Sequence, residues 1–178
     1  MKRVVLLVLV VALVMSVCGC YGRVAKEAFG AATGGKGKFL PVGPAGPGAN
    51  LARYLEIRLE PFDGAADVNV PGDLNGMLLT EFSRMLRANK ISERLGGTGR
   101  LIIRGRYLHY EESGAGGQLF GPLEEVVARV EMVDGGTNAV LARANCVGRS
   151  TSTTTQGAGS KAQGLAKGII KFIKENSR

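Results

Sequence analysis

The chain has 178 residues, 45% hydrophobic and 21% charged, with 23 Lys and Arg against 15 Asp and Glu for a formal net charge of +8. That balance excludes wholesale disorder, and setting aside Lys2 and Arg3 with the first twenty residues leaves 21 minus 15, or +6, a moderate basic excess. Residues 51–178 suffice for one ordinary domain whose core needs neither metal nor disulfide staples.

Lys2 and Arg3 precede an unbroken apolar run from Val4 to Met15, followed by Ser16-Val17-Cys18-Gly19-Cys20. This charged, apolar and small-residue order is that of a secretory signal, expected over residues 1–19. Val4 to Cys18 is 15 residues, short of the roughly 17 to 25 that a spanning helix needs, so a transmembrane anchor is the weaker reading. No later stretch is apolar enough to span a membrane, and the body of the chain is expected to be soluble. Val17-Cys18-Gly19-Cys20 resembles the lipobox of bacterial lipoproteins, which implies that Cys20 becomes an acylated N-terminus. Cys18 fits less well, because Met15-Ser16-Val17 puts a branched residue where Gly or Ala is usual. Two or more acyl chains hold a protein firmly at a bilayer where one holds it marginally. Tyr21, rather than Asp, follows Cys20, which by analogy favours the outer membrane and a periplasm-facing domain.

Residues 21–50 hold eight Gly, six Ala and three Pro and are expected, with Cys20, to be a flexible tether of about 30 Å. Within it Val24 to Ala32 could be a short helix, and Gly30, Gly35 and Lys36 satisfy most of a phosphate-cradling loop. Gly37 stands where that loop needs Ser or Thr, so nucleotide binding is not expected.

Period-two alternation of Leu55, Ile57 and Leu59 with Glu56, Arg58 and Glu60 predicts a half-buried strand stopped by Pro61. Pro71 opens a helical pattern of Leu74, Leu78, Phe82 and Met85. Ile91 to Leu95 is expected to be a short strand, and Leu101–Tyr110, Glu125–Asp134 and Ala139–Arg149 three longer ones. Gly135-Gly136-Thr137-Asn138 is a hairpin turn between the last two. Lys161–Lys174 is an amphipathic helix with Leu165, Ile169, Phe172 and Ile173 inward and Lys167, Lys171 and Lys174 outward. The order predicts an α+β fold, a largely antiparallel four- to five-stranded sheet with two helices packed on one face.

Alternation sends Leu101, Ile103, Tyr107, Val126, Ala128, Val130 and Met132 to the core. It leaves Arg104, Arg106, Arg129, Glu131, Arg143, Asn145 and Arg149 on the open face. Two readings of that basic face stand: cross-strand ion pairing, or docking of an anionic envelope polymer, a glycolipid or an acidic protein patch. No aromatic stacking platform accompanies the arginines, so nucleic acid is not the expected partner. Cys146, the one free thiol left after signal removal and acylation, shares a strand face with Val140, Ala142 and Ala144 and is expected to pack as a small hydrophobe.

His109 is the only histidine, which leaves His-dependent triads and His/Cys metal clusters short of parts. It shares the alternation phase of Tyr107 and is expected in a hydrogen-bonded structural role. Glu111-Glu112 and Glu124-Glu125 flank one loop and could converge for acid/base hydrolysis, although solvated strand ends are the simpler account. No catalysis, metal or cofactor is expected. The loop itself carries Leu119 and Phe120, which either fold back over the sheet edge or insert into a neighbouring subunit or membrane surface.

The segments Leu101 to Tyr110, Gly121 to Asp134, Ala144 to Arg149 and Gly164-Leu165-Ala166-Lys167 resemble an uncharacterised family of bacterial lipoproteins, the domain of unknown function four-four-one-zero. The likeness spans roughly residues 50 to 175. It implies an envelope lipoprotein with a small α/β domain, similar in outline to those of assembly lipoproteins and the amino-terminal part of TolB-like proteins. It brings no catalytic residues. The expectation is a membrane-anchored, non-enzymatic interaction, assembly or transport-accessory module with an envelope protein partner and an oligomeric state left open.

Overall fold

A computed structural model describes residues 34–42, 50–91, 97–111, 124–150 and 157–177. The expected signal, Cys20, the short helix within 24–32, and Leu119 and Phe120 lie outside these residues.

The strands are β1 (Lys36–Pro41), β2 (Tyr54–Leu59), β3 (Asp63–Gly64), β4 (Gly99–Tyr110), β5 (Glu125–Asp134) and β6 (Val140–Arg149). The helices are α1 (Leu74–Ala88) and α2 (Ala158–Asn176). They build an α+β fold around one six-stranded sheet of order β1-β6-β5-β4-β2, with β3 pairing β4 beside β2. The expected alternation holds at the centre: Leu101, Ile103 and Tyr107 of β4 and Val126, Ala128, Val130 and Met132 of β5 are fully buried. Leu74, Leu78, Phe82 and Met85 of α1 and Leu165, Ile169 and Ile173 of α2 complete the core. Each such side chain contributes about 1.5–3 kcal/mol by leaving water. Among the described residues no helix is long and apolar enough to cross a membrane.

Most of the pairing is antiparallel as expected, but the sheet is mixed, with a parallel edge and six strands rather than four or five. β4, β5, β6 and β1 pair antiparallel, but β2 and β3 both run parallel to β4. The cause is connectivity. From β2 the chain crosses through α1 before β4, and such a crossover returns it to the end where it started, so the two strands share a direction. Ile91 is a buried residue just past α1 and belongs to no strand; the rest of the expected short strand lies outside the described residues.

The strand β1 occupies part of the stretch expected to be a tether. Gly37 and Phe39 face α2 while Lys36, Lys38 and Leu40 are exposed, and the register runs from Lys36 opposite Arg149 to Pro41 opposite Ala144. Glycine is required here by packing. A Cβ at Gly37 would stand 1.8 Å from the Gly164 carbonyl oxygen, and one at Gly164 would stand 2.6 Å from the Lys36 oxygen and 2.8 Å from the Gly148 Cα. The helix thus lies directly on the backbones of β1 and β6. Phe39 then stacks on Phe172 with ring centroids 4.3 Å apart.

Bulges shift the alternation. The irregularity between Tyr54 and Glu56 leaves Tyr54 buried and Leu55 60% exposed, against the expected inward Leu55. A second, between Tyr107 and His109, carries His109 off the core phase into solvent, where its imidazole holds no hydrogen bond among the described residues. Its expected structural role is not found. Val140 is likewise exposed, whereas Cys146 is buried as expected; burial pushes its thiol up to about 12, and its sulfur donates to the Leu165 carbonyl at 3.5 Å.

Candidate functional site

Both helices cover one face of the sheet, so the alternate residues of β4, β5 and β6 form an open face. Antiparallel register sorts their side chains into rows. Arg149 lies opposite Glu125 and binds it at 2.7 Å. Glu131 lies between Arg104 and Arg143, accepting from them at 3.0 and 2.6 Å through its two separate oxygens. Burial pushes the Glu131 carboxyl up, but hydrogen bonds from Arg143 and Arg104 outweigh it and hold the group below its ordinary range. Three of the five expected arginines are therefore ion-paired across strands, as the cross-strand pairing reading requires, with about 0–1 kcal/mol each at this exposure.

The row next to Glu131 differs. Arg106 is directly opposite Arg129, with Asn145 beyond Arg129 and Asp63 beyond Arg106. Arg129 donates its Nε to Asn145 Oδ1 at 2.8 Å, and the Arg106 guanidinium has no ion pair or hydrogen bond among the described residues. Opposite positions on paired strands bring Cβ atoms to about 4.5–5.5 Å, where like charges cost stability.

A cleft of about 590 Å³ opens over this row, lined by Arg58, Glu60, Asp63, Arg104, Arg106 and Arg129 among others. One wall is the segment from Glu60 to Gly64, and its placement comes from the covered side. Phe62 is buried against Tyr107, ring centroids 5.6 Å apart, over Gly105, where a Cβ would come within 2.9 Å of the Phe62 ring. Asn75 of α1 accepts from the Phe62 backbone N–H and donates to its carbonyl, both at 2.9 Å, and also accepts from the Tyr107 hydroxyl at 2.9 Å. Burial pushes the Tyr107 hydroxyl well above its ordinary range, so it stays a donor. Alternation places Arg58 on the polar side of its strand without marking it as a site residue, and it does not single out Asn75; an amide at the start of an apolar helix face is the available signal.

Two of the four candidate glutamates are held in ion pairs. Glu125 is held by Arg149, whereas Glu124 is buried and bound at 3.0 Å to the equally buried Lys161, and also accepts from the Gly157 N–H at 3.1 Å. Lys161 additionally donates to the Glu111 carbonyl and lies 4.0 Å from the Tyr110 ring centre. Glu112 lies outside the described residues. Among the described residues no group of three or more His, Cys, Asp or Glu could hold a metal ion. A larger groove of about 880 Å³ between the starts of the helices is lined by small and polar groups, including Gly34, Gly76, Thr80 and Gln163.

No protein-family model matches the chain, and no curated protein matches it. Among solved structures, PelC dodecamers from Paraburkholderia phytofirmans align with 78% of this chain and 96% of theirs. A point variant has 18% identity and a TM-score of 0.47, and another crystal form 16% and 0.49. Protein XCC0632 from Xanthomonas campestris, of the DUF330 family, aligns over 76% of this chain and 87% of its own, with 15% identity and a TM-score of 0.40. Likeness at this level carries no argument about assembly or activity.

Proposed function

We propose that this protein is a non-enzymatic interaction module of a bacterial envelope, held at the outer membrane through acylated Cys20 and docking its partner on the open face of the sheet. The carrying observation is the uncovered face itself: rigid paired strands present Arg104, Arg106, Arg129, Arg143 and Arg149, of which Arg106 and Arg129 lack carboxylate partners among the described residues. The lipobox-like front supports the location. From Cys20 to Gly34 is 14 residues, so the fold begins within about 50 Å of the acyl chains even at full extension. Glu124 and Glu125, two of the four candidate acid/base groups, are occupied by Lys161 and Arg149, which favours binding over hydrolysis.

The test is photo-crosslinking in intact cells from a reactive residue at position 106. Capture of a discrete envelope species, lost when Cys20→Ala releases the protein from the membrane fraction, is the expected result. Absence of capture, or the same capture by Cys20→Ala, overturns the reading.

A further inference from the structure

We infer that the cleft beside Arg106 is a binding site for a phosphorylated sugar or polyol, the phosphate seated on Arg58, Arg106 and Arg129 and the hydroxyls on Glu60 and Asp63. Three observations carry this. The arginines come from three different strands, β2, β4 and β5, and converge on one cleft, which suits a tetrahedral anion with several oxygens better than a two-oxygen carboxylate. Arg58 and Arg106 have no ion pair among the described residues, and Arg129 uses only its Nε on Asn145, leaving its outer nitrogens for a ligand. Arg104, the fourth cation of the cleft, is already satisfied by Glu131.

The second point is the register. Arg106 opposite Arg129 is an unfavourable cross-strand pair, whereas in the next row Glu131 pairs with both Arg104 and Arg143. An anion between the two converts that repulsion into binding. Stability set aside at a site for recognition is a common exchange.

Glu60 and Asp63 fix the rest of the ligand. A bare phosphate would be repelled by these carboxylates on the cleft wall, but a carrier with hydroxyl groups turns both into acceptors. About 590 Å³ also exceeds what a lone phosphate fills and lies within the range of small-molecule sites.

The inference rests on the open face being the docking surface, and a test on purified protein separates it from anchoring, which that test does not touch. The full chain in detergent is titrated calorimetrically with glucose 6-phosphate, inorganic phosphate and glucose at low and high salt. Glucose 6-phosphate should bind best, inorganic phosphate more weakly and glucose not at all, with affinity falling as salt rises. Arg106→Gln should weaken glucose 6-phosphate binding by about tenfold or more. Arg100→Gln, on the Glu56 pair outside the cleft, should leave it unchanged. Ligand-free Arg106→Gln should also melt no lower than the parent, because a repulsion has been removed. Failure of glucose 6-phosphate to bind, equal binding by Arg106→Gln, or equal affinity for inorganic phosphate would each overturn the assignment. A lower melting temperature with unchanged binding would make Arg106 a structural counter-charge to Asp63 instead.

Discussion

The two faces of the sheet are made by alternate residues of the same strands, yet they are governed by different physics. On the covered face, contact is so close that glycines at 37, 148 and 164 are needed to admit α2, and buried polar groups are tied to specific partners. On the open face, side chains reach across strands in ionic rows that leave one arginine pair unmatched. The covered face sets stability and positions the cleft wall through Phe62 and Asn75. The open face contributes little to stability and is therefore free to be shaped for recognition.

Substitutions on the covered face should show the largest losses. Lys161→Ala strands the buried Glu124 carboxylate, for an expected cost of about 3–5 kcal/mol in denaturant unfolding. Replacing both partners by apolar residues should recover much of it, and a double change as damaging as the single one would contradict the ion-pair account. Gly37→Ala drives a methyl group into the α2 backbone and should cost about 1–3 kcal/mol or more, with β1 amides losing exchange protection first. Full protection of β1 in that variant would break the close-packing argument. Asn75→Ala leaves the Phe62 backbone groups without their side-chain partner and should cost about 1–3 kcal/mol by the same measurement.

The smallest effect is a pH dependence at the far end of the sheet. Asp134 accepts from the Tyr54 hydroxyl at 2.7 Å and from the Gly136 and Thr137 N–H groups at 2.9 Å each. Led by the Tyr54 bond, these hold its carboxyl down to about 2 from 3.8. A carboxyl depressed on folding stabilises above its unfolded value and loses that contribution as pH falls. Stability should therefore decline from about pH 4 to about pH 2 by this route. Tyr54→Phe should flatten the decline, and an unchanged pH profile would remove Tyr54 as its cause.

The sequence made the centre of the sheet legible because Leu101, Ile103, Val126, Ala128, Val130 and Met132 are long runs of clean alternation, and the helices because their apolar spacing is equally regular. The open-face arginines followed from the same alternation. Gly37 in a Gly- and Pro-rich stretch read as linker, although its glycine is a packing surface; the complementary clue was Gly164 and Gly168, four apart on the helix that receives β1. Bulges put Leu55 and His109 out of phase, which no local pattern records. The parallel pairing of β2 with β4 was hidden by assigning a strand at Ile91. Lys161 with Glu124, and Asn75 with Phe62, are partners distant in sequence that only the fold brings together.

The location underlies the proposed docking role, and it is tested most directly by intact-mass and peptide mass spectrometry of the mature protein extracted from membranes. The expected product begins at Cys20, lacks residues 1–19 and carries acyl groups on that cysteine. A chain that retains its first nineteen residues, or an unmodified Cys20, would contradict the anchored docking role.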